Sequence, residues 1–280
     1  MKYAIDFPNY GNYHNPREIA KIAREAEDAG WDGFFLYDQI TFMKGLDLPY
    51  TDPWIALAAI AMKTKEIKIG TMVTPIPRRR PWILAREAIS IDHLSNGRFI
   101  FGVGLGDPPS EYTTFGEEKD PRIRAKKLDE GLDIILGLWS GKDFKYKGEH
   151  FTVRKIKFLP TPINGHIPIW IAGMWPNKKP FLRAARFDGV CPYGTNFPEL
   201  LAPHEIKEVL AFIMQHRTKT GNFDVFFAGE TPGNPEEGAE IVKPYIEAGI
   251  TWWSEKINYV RFPNAPKKML ERIRQGPPSV

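Results

Sequence analysis

Four acidic residues follow apolar runs of the sequence, at points where a carboxylate could act as a general acid or base. They are Asp38, Asp107, Glu230 and Glu255. Two carboxylates that flank a glycosidic bond are the catalytic equipment of glycoside hydrolases. None of the four stands in a recognisable acid/base motif, however, and acidic residues after strands commonly cap the next helix. Carbohydrate hydrolysis is therefore a minor alternative.

Residues that bind metals or act as strong nucleophiles are sparse. Cys191 is the single cysteine, which excludes an internal disulfide framework and a cysteine-rich metal site. No two histidines have the spacing of metal ligands. The six histidines are His14, His93, His150, His166, His204 and His216. We predict that no metal ion takes part in catalysis.

The stretch "FIFGVGLGDPP", residues 99–109, looks like a glycine loop that cradles a phosphate. Gly102, Gly104 and Gly106 are two residues apart, whereas the dinucleotide fingerprint G-x-G-x-x-G runs directly into a helix. Asp107 and two prolines follow instead, and consecutive prolines disfavour a helix start. A Rossmann site is therefore disfavoured. The glycines either let a flat ligand approach the backbone or relieve crowding between strands.

Composition and charge exclude several classes of protein. The chain has 280 residues, of which 42% are hydrophobic and 26% charged, and its net charge of +4 is too small to predict nucleic-acid binding. No apolar run approaches the ~18 residues that a membrane span needs, and the N-terminus lacks a signal peptide, so we expect a cytoplasmic protein. The one dense basic cluster, Arg78 to Arg80, predicts either a solvated loop or a contact with an acidic group.

Short β-branched or aromatic runs alternate with amphipathic helical stretches along the whole chain. Helix starts are marked by Pro16 and by Asp52 followed by Pro53. We predict strands at 3–7, 33–38, 66–73, 98–104, 167–173, 189–194, 224–230 and 250–255, and helices at 16–29, 52–64, 81–95, 122–140, 177–186, 203–219, 235–248 and 266–274. Eight such units predict a single domain, residues 1–280, with the (β/α)8 TIM-barrel fold. The run 144–153 predicts a small β-hairpin inserted after the fourth helix.

The carboxyl ends of barrel strands form the mouth where such folds place their active sites. The strand ends predicted to line it include Phe7, Tyr37, Met174 and Trp175, which would make the mouth aromatic and largely uncharged. The stretch "AGMWPNKK", residues 172–179, joins a strand to a helix and carries two lysines. It predicts either a phosphate site at the helix start or an ordinary surface loop.

Four segments identify the family that this chain resembles. They are "AREAEDAGWDGFFLYD", "DPWIALAAIAMKTKEIKIGTMVTPIPRRRPWILAREAISIDHLSNGRFIFGVGLGDPPSEY", "RIRAKKLDEGLDIILGLWSG" and "IPIWIAGMWPNKKPFLRAARFDGV", which span residues 23 to about 190. The chain resembles the bacterial luciferase-like monooxygenase family, whose members are TIM barrels that use flavin or the deazaflavin F420. After residue 195 it matches only in the rhythm of helices and strands.

The resemblance implies a tricyclic ring held at the mouth of the barrel. In the deazaflavin members a non-proline cis peptide lies at the end of the third strand, and it corresponds here to Met72–Val73. By the same comparison, further residues are expected to contact the ring, its side chain or its phosphate. They are Phe7, Thr74, Leu105, Gly106, Ala172, Gly173, Met174, Asn177 and Lys178.

Two positions depart from the family pattern. Many members carry a histidine directly after the strand-two aspartate, where this chain reads Asp38-Gln39. Glutamine forms hydrogen bonds but does not exchange a proton near neutral pH. Asp107 stands where deazaflavin dehydrogenases of the family tend to have glutamate. We expect Asp38 and Gln39 to contact substrate or ring and Asp107 to relay protons.

The resemblance implies an oxidoreductase that uses reduced F420 or flavin mononucleotide (FMN) and acts on a small organic substrate. The chemistry is either oxygen insertion, with a separate reductase, or hydride transfer. A non-catalytic flavin-binding barrel, or a partner subunit of an active homologue, is the alternative that Gln39 leaves open. A homo-oligomer, most simply a dimer, is also expected.

Overall fold

The computed structural model of this chain describes residues 1–41, 47–195 and 199–279. Its strands are β1 (Lys2–Phe7), β2 (Gly33–Leu36), β3 (Lys68–Pro75), β4 (Phe99–Gly104), β5 (Asp143–Lys147), β6 (Thr152–Lys157), β7 (Ile169–Met174), β8 (Gly189–Tyr193), β9 (Asp224–Gly229) and β10 (Trp252–Lys256). All strands except β5 and β6 form a closed barrel in the order β1-β10-β9-β8-β7-β4-β3-β2, and every pair in it is parallel. The predicted TIM barrel is confirmed.

Helices cover the outside of the barrel. They are α1 (Pro16–Asp28), α2 (Pro53–Lys63), α3 (Pro81–Leu94), α4 (Ser110–Thr113), α5 (Pro121–Trp139), α6 (Lys178–Ala184), α7 (Pro203–His216), α8 (Pro235–Ala248) and α9 (Pro266–Arg274). Asp52 caps α2 as predicted, because its carboxylate accepts hydrogen bonds from the backbone amides of Trp54 and Ile55. None of these helices is long and apolar enough to cross a bilayer.

Alternation along the strands divides side chains between the helix layer and the barrel interior. On β1, Ile5 and Phe7 pack toward the helices, whereas Ala4 packs inside the barrel. Four large aromatic side chains fill the interior near the amino ends of the strands. They are Phe35, Trp170, Phe226 and Trp252. Their centroids lie 5.1–6.0 Å apart in the pairs that touch. These rings therefore fill the barrel interior at this end.

A bulge interrupts the pairing of β3 with β4. Thr71 pairs with Phe101 and Thr74 with Val103, so three steps along β3 match two along β4. Within the bulge, two consecutive side chains turn toward the interior: the Met72 sulfur lies 3.1 Å from the Cys191 sulfur, and Val73 packs against Gly104.

β5 and β6 form a separate antiparallel pair after α5. The Glu130 carboxylate accepts hydrogen bonds from the backbone amides of residues 149–151 and so fastens the turn of this pair to α5. The pair lies outside the barrel sheet. Its strands include residues 143–157, a longer range than the predicted 144–153.

Candidate active site

The carboxyl ends of the barrel strands present a mixed surface to the interior. β4 and β7 contribute Gly102, Gly104 and Ala172, so this side of the barrel shows backbone and one methyl group rather than bulky side chains. A Cβ on Gly104 would lie 2.9 Å from Val73, and one on Gly102 would collide with the Thr71 carbonyl oxygen. Close packing of β4 against β3 thus leaves no room for a side chain at either position, so both present bare backbone.

The peptide bond between Met72 and Val73 is cis. This agrees with the bond that the family resemblance implies at this position. Both residues are half-buried and face the interior next to Cys191 and Gly104.

Asp6 is the feature of the mouth that the sequence analysis missed. It lies on β1 with an inward register, is 6% exposed, and its Oδ1 atom has no partner in the part of the chain described. The Tyr37 hydroxyl donates a hydrogen bond to the carboxyl group, and Lys256 of the neighbouring strand lies opposite in the register. Burial raises the pKa of Asp6 to about 7, against the opposing effects of Lys256 and Tyr37.

The groups around Asp6 form a connected polar cluster. The Asn258 side-chain amide donates to the Tyr37 hydroxyl at 3.3 Å. Burial raises the pKa of Tyr37 well above its ordinary value, and the Asp6 charge raises it further. Burial also raises the pKa values of Tyr10 and Cys191, again with a contribution from Asp6.

Asp38, predicted to touch substrate or ring, lies instead in a buried hydrogen-bond network. Its Oδ2 atom accepts from Trp54 Nε1 at 3.2 Å and from Thr74 Oγ1 at 2.8 Å. Its Oδ1 atom accepts from Arg78 at 3.1 Å and Arg79 at 2.9 Å. Both oxygens therefore accept hydrogen bonds from within the chain, and the contact of Asp38 with substrate or ring stays a prediction. Alternation explains the placement, because Tyr37 takes the inward position and Asp38 the next.

The basic cluster Arg78 to Arg80 is not a simple solvated loop. The Arg78 side chain is 4% exposed and forms ion pairs with both Asp38 and Glu111. Glu111 in turn accepts hydrogen bonds from the backbone amides of Ile40 and Thr41. Arg79 and Arg80 line a cavity of about 420 Å³ on the outer side of the mouth. The cluster therefore joins the loop after β2 to those after β3 and β4.

Gln39 lies at the rim with an unsatisfied group. Its side-chain Oε1 atom is buried and has no partner among the described residues. Its backbone carbonyl accepts from Asn9 Nδ2 at 2.8 Å, which fixes the start of the connection from β2 to α2. The Gln39 amide is thus available for a further hydrogen bond, in line with its predicted contact with substrate or ring.

The loop after β4 places Asp107 at the rim. Asp107 is exposed, and its charge, after the larger effect of burial, raises the pKa of Tyr193 on β8. Tyr112 and Arg124 hold the preceding carbonyl oxygens, since Tyr112 donates to Leu105 and Arg124 to Gly106. These hydrogen bonds fix the backbone of Leu105 and Gly106, and the Leu105 side chain packs against the core on the helix side.

Several predicted contact residues point away from the mouth. Phe7 is 0% exposed and packs on Phe34 with ring centroids 5.3 Å apart, in the helix layer. Thr74 is buried with Asp38, and a Cβ on Gly173 would lie 2.9 Å from Pro180 of α6. Each of these three residues lies one position out of register with the inward set, so its contact with a cofactor stays a prediction that this packing does not favour.

The segment after β7 divides in the same way. Met174 is half-buried and inward, whereas Trp175 packs with Phe181 and Phe212 in the helix layer and forms no wall of the mouth. Asn177 and Lys178 are exposed, and the Lys178 ammonium lies 3.4 Å from the centre of the Trp175 ring. α6 has seven residues, so the predicted phosphate site at its start has little helix behind it.

The remaining acidic residues do not form a hydrolytic pair. Glu255 is 0% exposed, is ion-paired with Arg261 and Arg272, and faces the helix layer. Glu230 is exposed and lies near Arg261. Nor do His, Cys, Asp and Glu side chains cluster as a metal site anywhere in residues 1–41, 47–195 or 199–279.

Comparisons with known proteins extend these observations. The sequence profile of the luciferase-like monooxygenase family matches residues 4–249. F420-dependent glucose-6-phosphate dehydrogenase of Amycolatopsis mediterranei is 30% identical over 183 residues, covering 64% of this chain and 54% of that protein. The chain thus spans about half the length of this curated relative.

Solved structures share the fold. An F420-dependent secondary alcohol dehydrogenase, in complex with an F420-acetone adduct, superposes with a TM-score of 0.77 at 18% identity, covering 98% of this chain and 99% of that one. A second structure is the oxygenating constituent of 3,6-diketocamphane monooxygenase from Pseudomonas putida, in complex with FMN. It superposes with a TM-score of 0.66 at 18% identity, and the match covers 86% of this chain and 71% of that one.

Proposed function

Because the chain belongs to the luciferase-like monooxygenase family, we propose that it is an oxidoreductase that uses F420 or FMN and acts on a small organic substrate at the barrel mouth. The observation that carries the proposal is the composition of that mouth. Small residues on β4 and β7 face a polar cluster on β1, β2 and β10 across the barrel interior. A flat, largely apolar ring needs the first side, and redox chemistry with proton transfer needs the second.

The residues present fit such a cofactor. Ala172 is half-buried rather than covered, so the β7 side of the mouth is accessible. The buried Oε1 atom of Gln39 has no partner among the described residues, and a ring N–H or a sugar hydroxyl can satisfy it. Met72, Val73 and Met174 supply polarisable, apolar contacts nearby. When bound, the cofactor supplies the two-electron chemistry that amino-acid side chains lack.

The side chains of this protein would bind and orient the cofactor and the substrate, and they would exclude water from the site. Leu105 and Gly106 border the cofactor space with backbone atoms that Tyr112 and Arg124 hold in place. Asp107 at the rim, with Gln39, would contact the substrate or the polar chain of the cofactor. Asn177 and Lys178 are exposed near the mouth, where they would meet the phosphate.

Among the two cofactors, F420 is the better candidate. The curated relative of Amycolatopsis is named for F420, although the chain spans only about half of it. With F420 the reaction is hydride transfer. With FMN, a separate reductase would have to supply reduced cofactor for an oxygen-dependent reaction.

A homodimer is also proposed. α2 is apolar on all sides, which is typical of a helix that is buried on all sides. Its outer face carries Ile55 and Met62, which are 63% and 74% exposed, and the neighbouring α3 carries Ile83 at 51%. A second copy of this chain would cover the two faces together.

The test is a fluorescence titration of the purified protein with F420 and, separately, with FMN. We expect F420 to bind, and Ala172→Leu, which fills the space beside β4, to weaken binding at least tenfold. Met214→Leu, an exposed change on α7, is the matched control. Binding of FMN alone would replace hydride transfer with oxygen chemistry, and binding of neither would contradict the proposed function. Binding without turnover would favour the alternative, a non-catalytic barrel or partner subunit.

A further inference from the structure

We propose that Asp6 is a catalytic residue whose carboxyl group exchanges a proton with the substrate oxygen during the redox reaction. The inference rests on the proposed function and names a residue that the family pattern did not supply. It follows from where Asp6 lies and from what its two oxygen atoms contact.

The geometry leaves one oxygen of Asp6 free to meet a ligand. The carboxyl group lies inside the barrel near the carboxyl end of β1, and it is 6% exposed. The Tyr37 hydroxyl donates to the group, while Oδ1 is buried without a partner in the described part of the chain. A buried, unsatisfied carboxyl oxygen is costly unless a bound molecule completes it.

Neighbouring elements hold the carboxyl group in one orientation. Tyr37, just after β2, is itself fixed by a hydrogen bond from Asn258, which follows β10. The ionisable groups that face Asp6 are Tyr37, Lys256 of β10, Tyr10 of the loop after β1, and Cys191 of β8. Lys256 is the cation among them, and it favours the carboxylate against burial.

This balance suits a group that must both take and give a proton. Burial raises the pKa of Asp6 to about 7. A general acid or base works best when its pKa lies near the operating pH. In the oxidation of an alcohol, bound deazaflavin would supply the two-electron acceptor that takes the substrate hydride, and the Asp6 carboxylate would accept the O–H proton. The product is a carbonyl compound, and the protonated Asp6 then loses its proton to water.

Other groups at the mouth are less suited to this task. Asp38 has both oxygens occupied by four donors. Gln39 stands where many family members have histidine, and an amide does not exchange protons near neutral pH. Asp107 is exposed at the rim. Asp6 therefore supplies the proton exchange that the change to Gln39 removes.

The first experiment measures Asp6 directly. Infrared difference spectra between pH 5 and 9 should show a protonated carboxyl band that titrates near pH 7 in the wild type and is missing in Asp6→Asn. Asp224→Asn is the control, because it removes an inward carboxylate at the opposite end of the barrel. Saturating F420 should shift the band. A band that titrates near pH 4, or that F420 leaves unchanged, would overturn the proposal.

The second experiment separates this proposal from the proposed function. With F420 and either glucose 6-phosphate or propan-2-ol as probe, Asp6→Asn should lower kcat/KM at least 100-fold. It should change the F420 dissociation constant less than threefold. If Asp6→Asn binds F420 and turns over the probe as fast as the wild type, the catalytic role of Asp6 is contradicted and the proposed function stands. If the wild type binds neither cofactor, the proposed function itself is contradicted. If the wild type turns over neither probe, the infrared result decides.

Discussion

Asp6 and Asp38 are both buried aspartates, but their surroundings differ in the number of hydrogen-bond donors. Asp38 accepts hydrogen bonds from four side chains, two of them arginines. Asp6 accepts one, from Tyr37, and burial raises its pKa to about 7. Desolvation disfavours a charge unless donors or cations compensate it. The two residues therefore have different functions, one as a structural anchor and one as a titrating group.

The titration of Asp6 should appear in the stability of the protein. An aspartate has a pKa of about 3.9 when unfolded, and that of Asp6 is about 7 in the fold. Between these values the folded state binds the extra proton, so stability falls as pH rises through the window and is level above pH 7. From pH 5 to pH 8 the wild type should lose about 2–3 kcal/mol of unfolding free energy relative to Asp6→Asn.

Urea unfolding at the two pH values measures this difference. Asp224→Asn keeps Asp6 and should keep the wild-type dependence on pH. Parallel behaviour of wild type and Asp6→Asn across the window would show that Asp6 is ionised at pH 5, and the argument from burial would be wrong.

Lys256 should set the position of this titration. Its ammonium group favours the Asp6 carboxylate and thereby lowers the pKa of that group. Replacement by methionine, Lys256→Met, keeps the length of the chain and removes the charge, so the infrared midpoint of Asp6 should move upward. Lys2→Met, at the amino end of β1, is the control. A midpoint that stays in place or falls would mean that Lys256 is too strongly solvated to act.

Individual site residues are harder to predict than the fold, because the register of each strand decides which side chains face inward. The predicted residues lie at the ends of strands, and they include Phe7 but not Asp6. A single charged residue inside the apolar run "YAIDF" was the available signal. Strict alternation from Ala4 would have placed it inside the barrel. Which of the two alternating sets of side chains faces the interior depends on how the strand pairs in the sheet, and the sequence alone does not reveal that pairing.

At the scale of elements, one buried ion network holds three loops together. Arg78, after β3, contacts Asp38, after β2, and Glu111 in α4, and Glu111 accepts from the amides of Ile40 and Thr41. The side chains of Arg78, Asp38 and Glu111 are 1–4% exposed. Breaking a buried pair by removing one partner leaves an uncompensated charge and costs more than the pair itself contributes.

Arg78→Met should therefore destabilise the fold by about 3–5 kcal/mol. Thermal or urea unfolding measures the loss. The matched control is Lys126→Met, which breaks an ion pair with Glu149 whose side chains are more than half exposed, and it should cost less than about 1 kcal/mol. Similar losses in the two variants would contradict the structural role assigned to Arg78.

Local signals predicted the elements better than their orientations. Asp52 and Pro53 mark the start of α2, and the predicted helix 235–248 matches α8. The short helix α4 was missed, because two prolines precede it and its four residues carry no periodicity. Its position depends on two contacts outside the helix. Glu111 accepts a hydrogen bond from the backbone amide of Ile40, and the Tyr112 hydroxyl donates one to the Leu105 carbonyl oxygen.

The whole barrel was predictable because eight apolar strands, each followed by a helix, have few ways to be covered on their outer face. The outer surface of the barrel also carries an exposed apolar stripe, formed by Ile55 and Met62 on α2 and Ile83 on α3. These side chains do not pack in the core of their own chain. A patch of this kind marks an interface more often than a free surface.

The proposed dimer gives a direct test of that stripe. The double variant Met62→Lys, Ile83→Lys should convert a dimer to a monomer in sedimentation velocity, because two buried charges in the new interface are uncompensated. Met214→Lys, which introduces the same charge at an exposed apolar position of α7, should leave the mass unchanged. A monomeric wild type would remove the proposal.

The bulge in β3 reverses the inward and outward alternation of the residues that follow it in the strand. Before it, residues alternate in one phase, and after it the phase is reversed, so Thr74 points outward to Asp38 instead of inward. One extra residue thereby assigns a whole set of side chains to the structural layer. Deletion of one residue from the bulge would turn the inward side chains of the rest of β3 outward and the outward ones inward. Such a deletion would change this site more than most single substitutions within it.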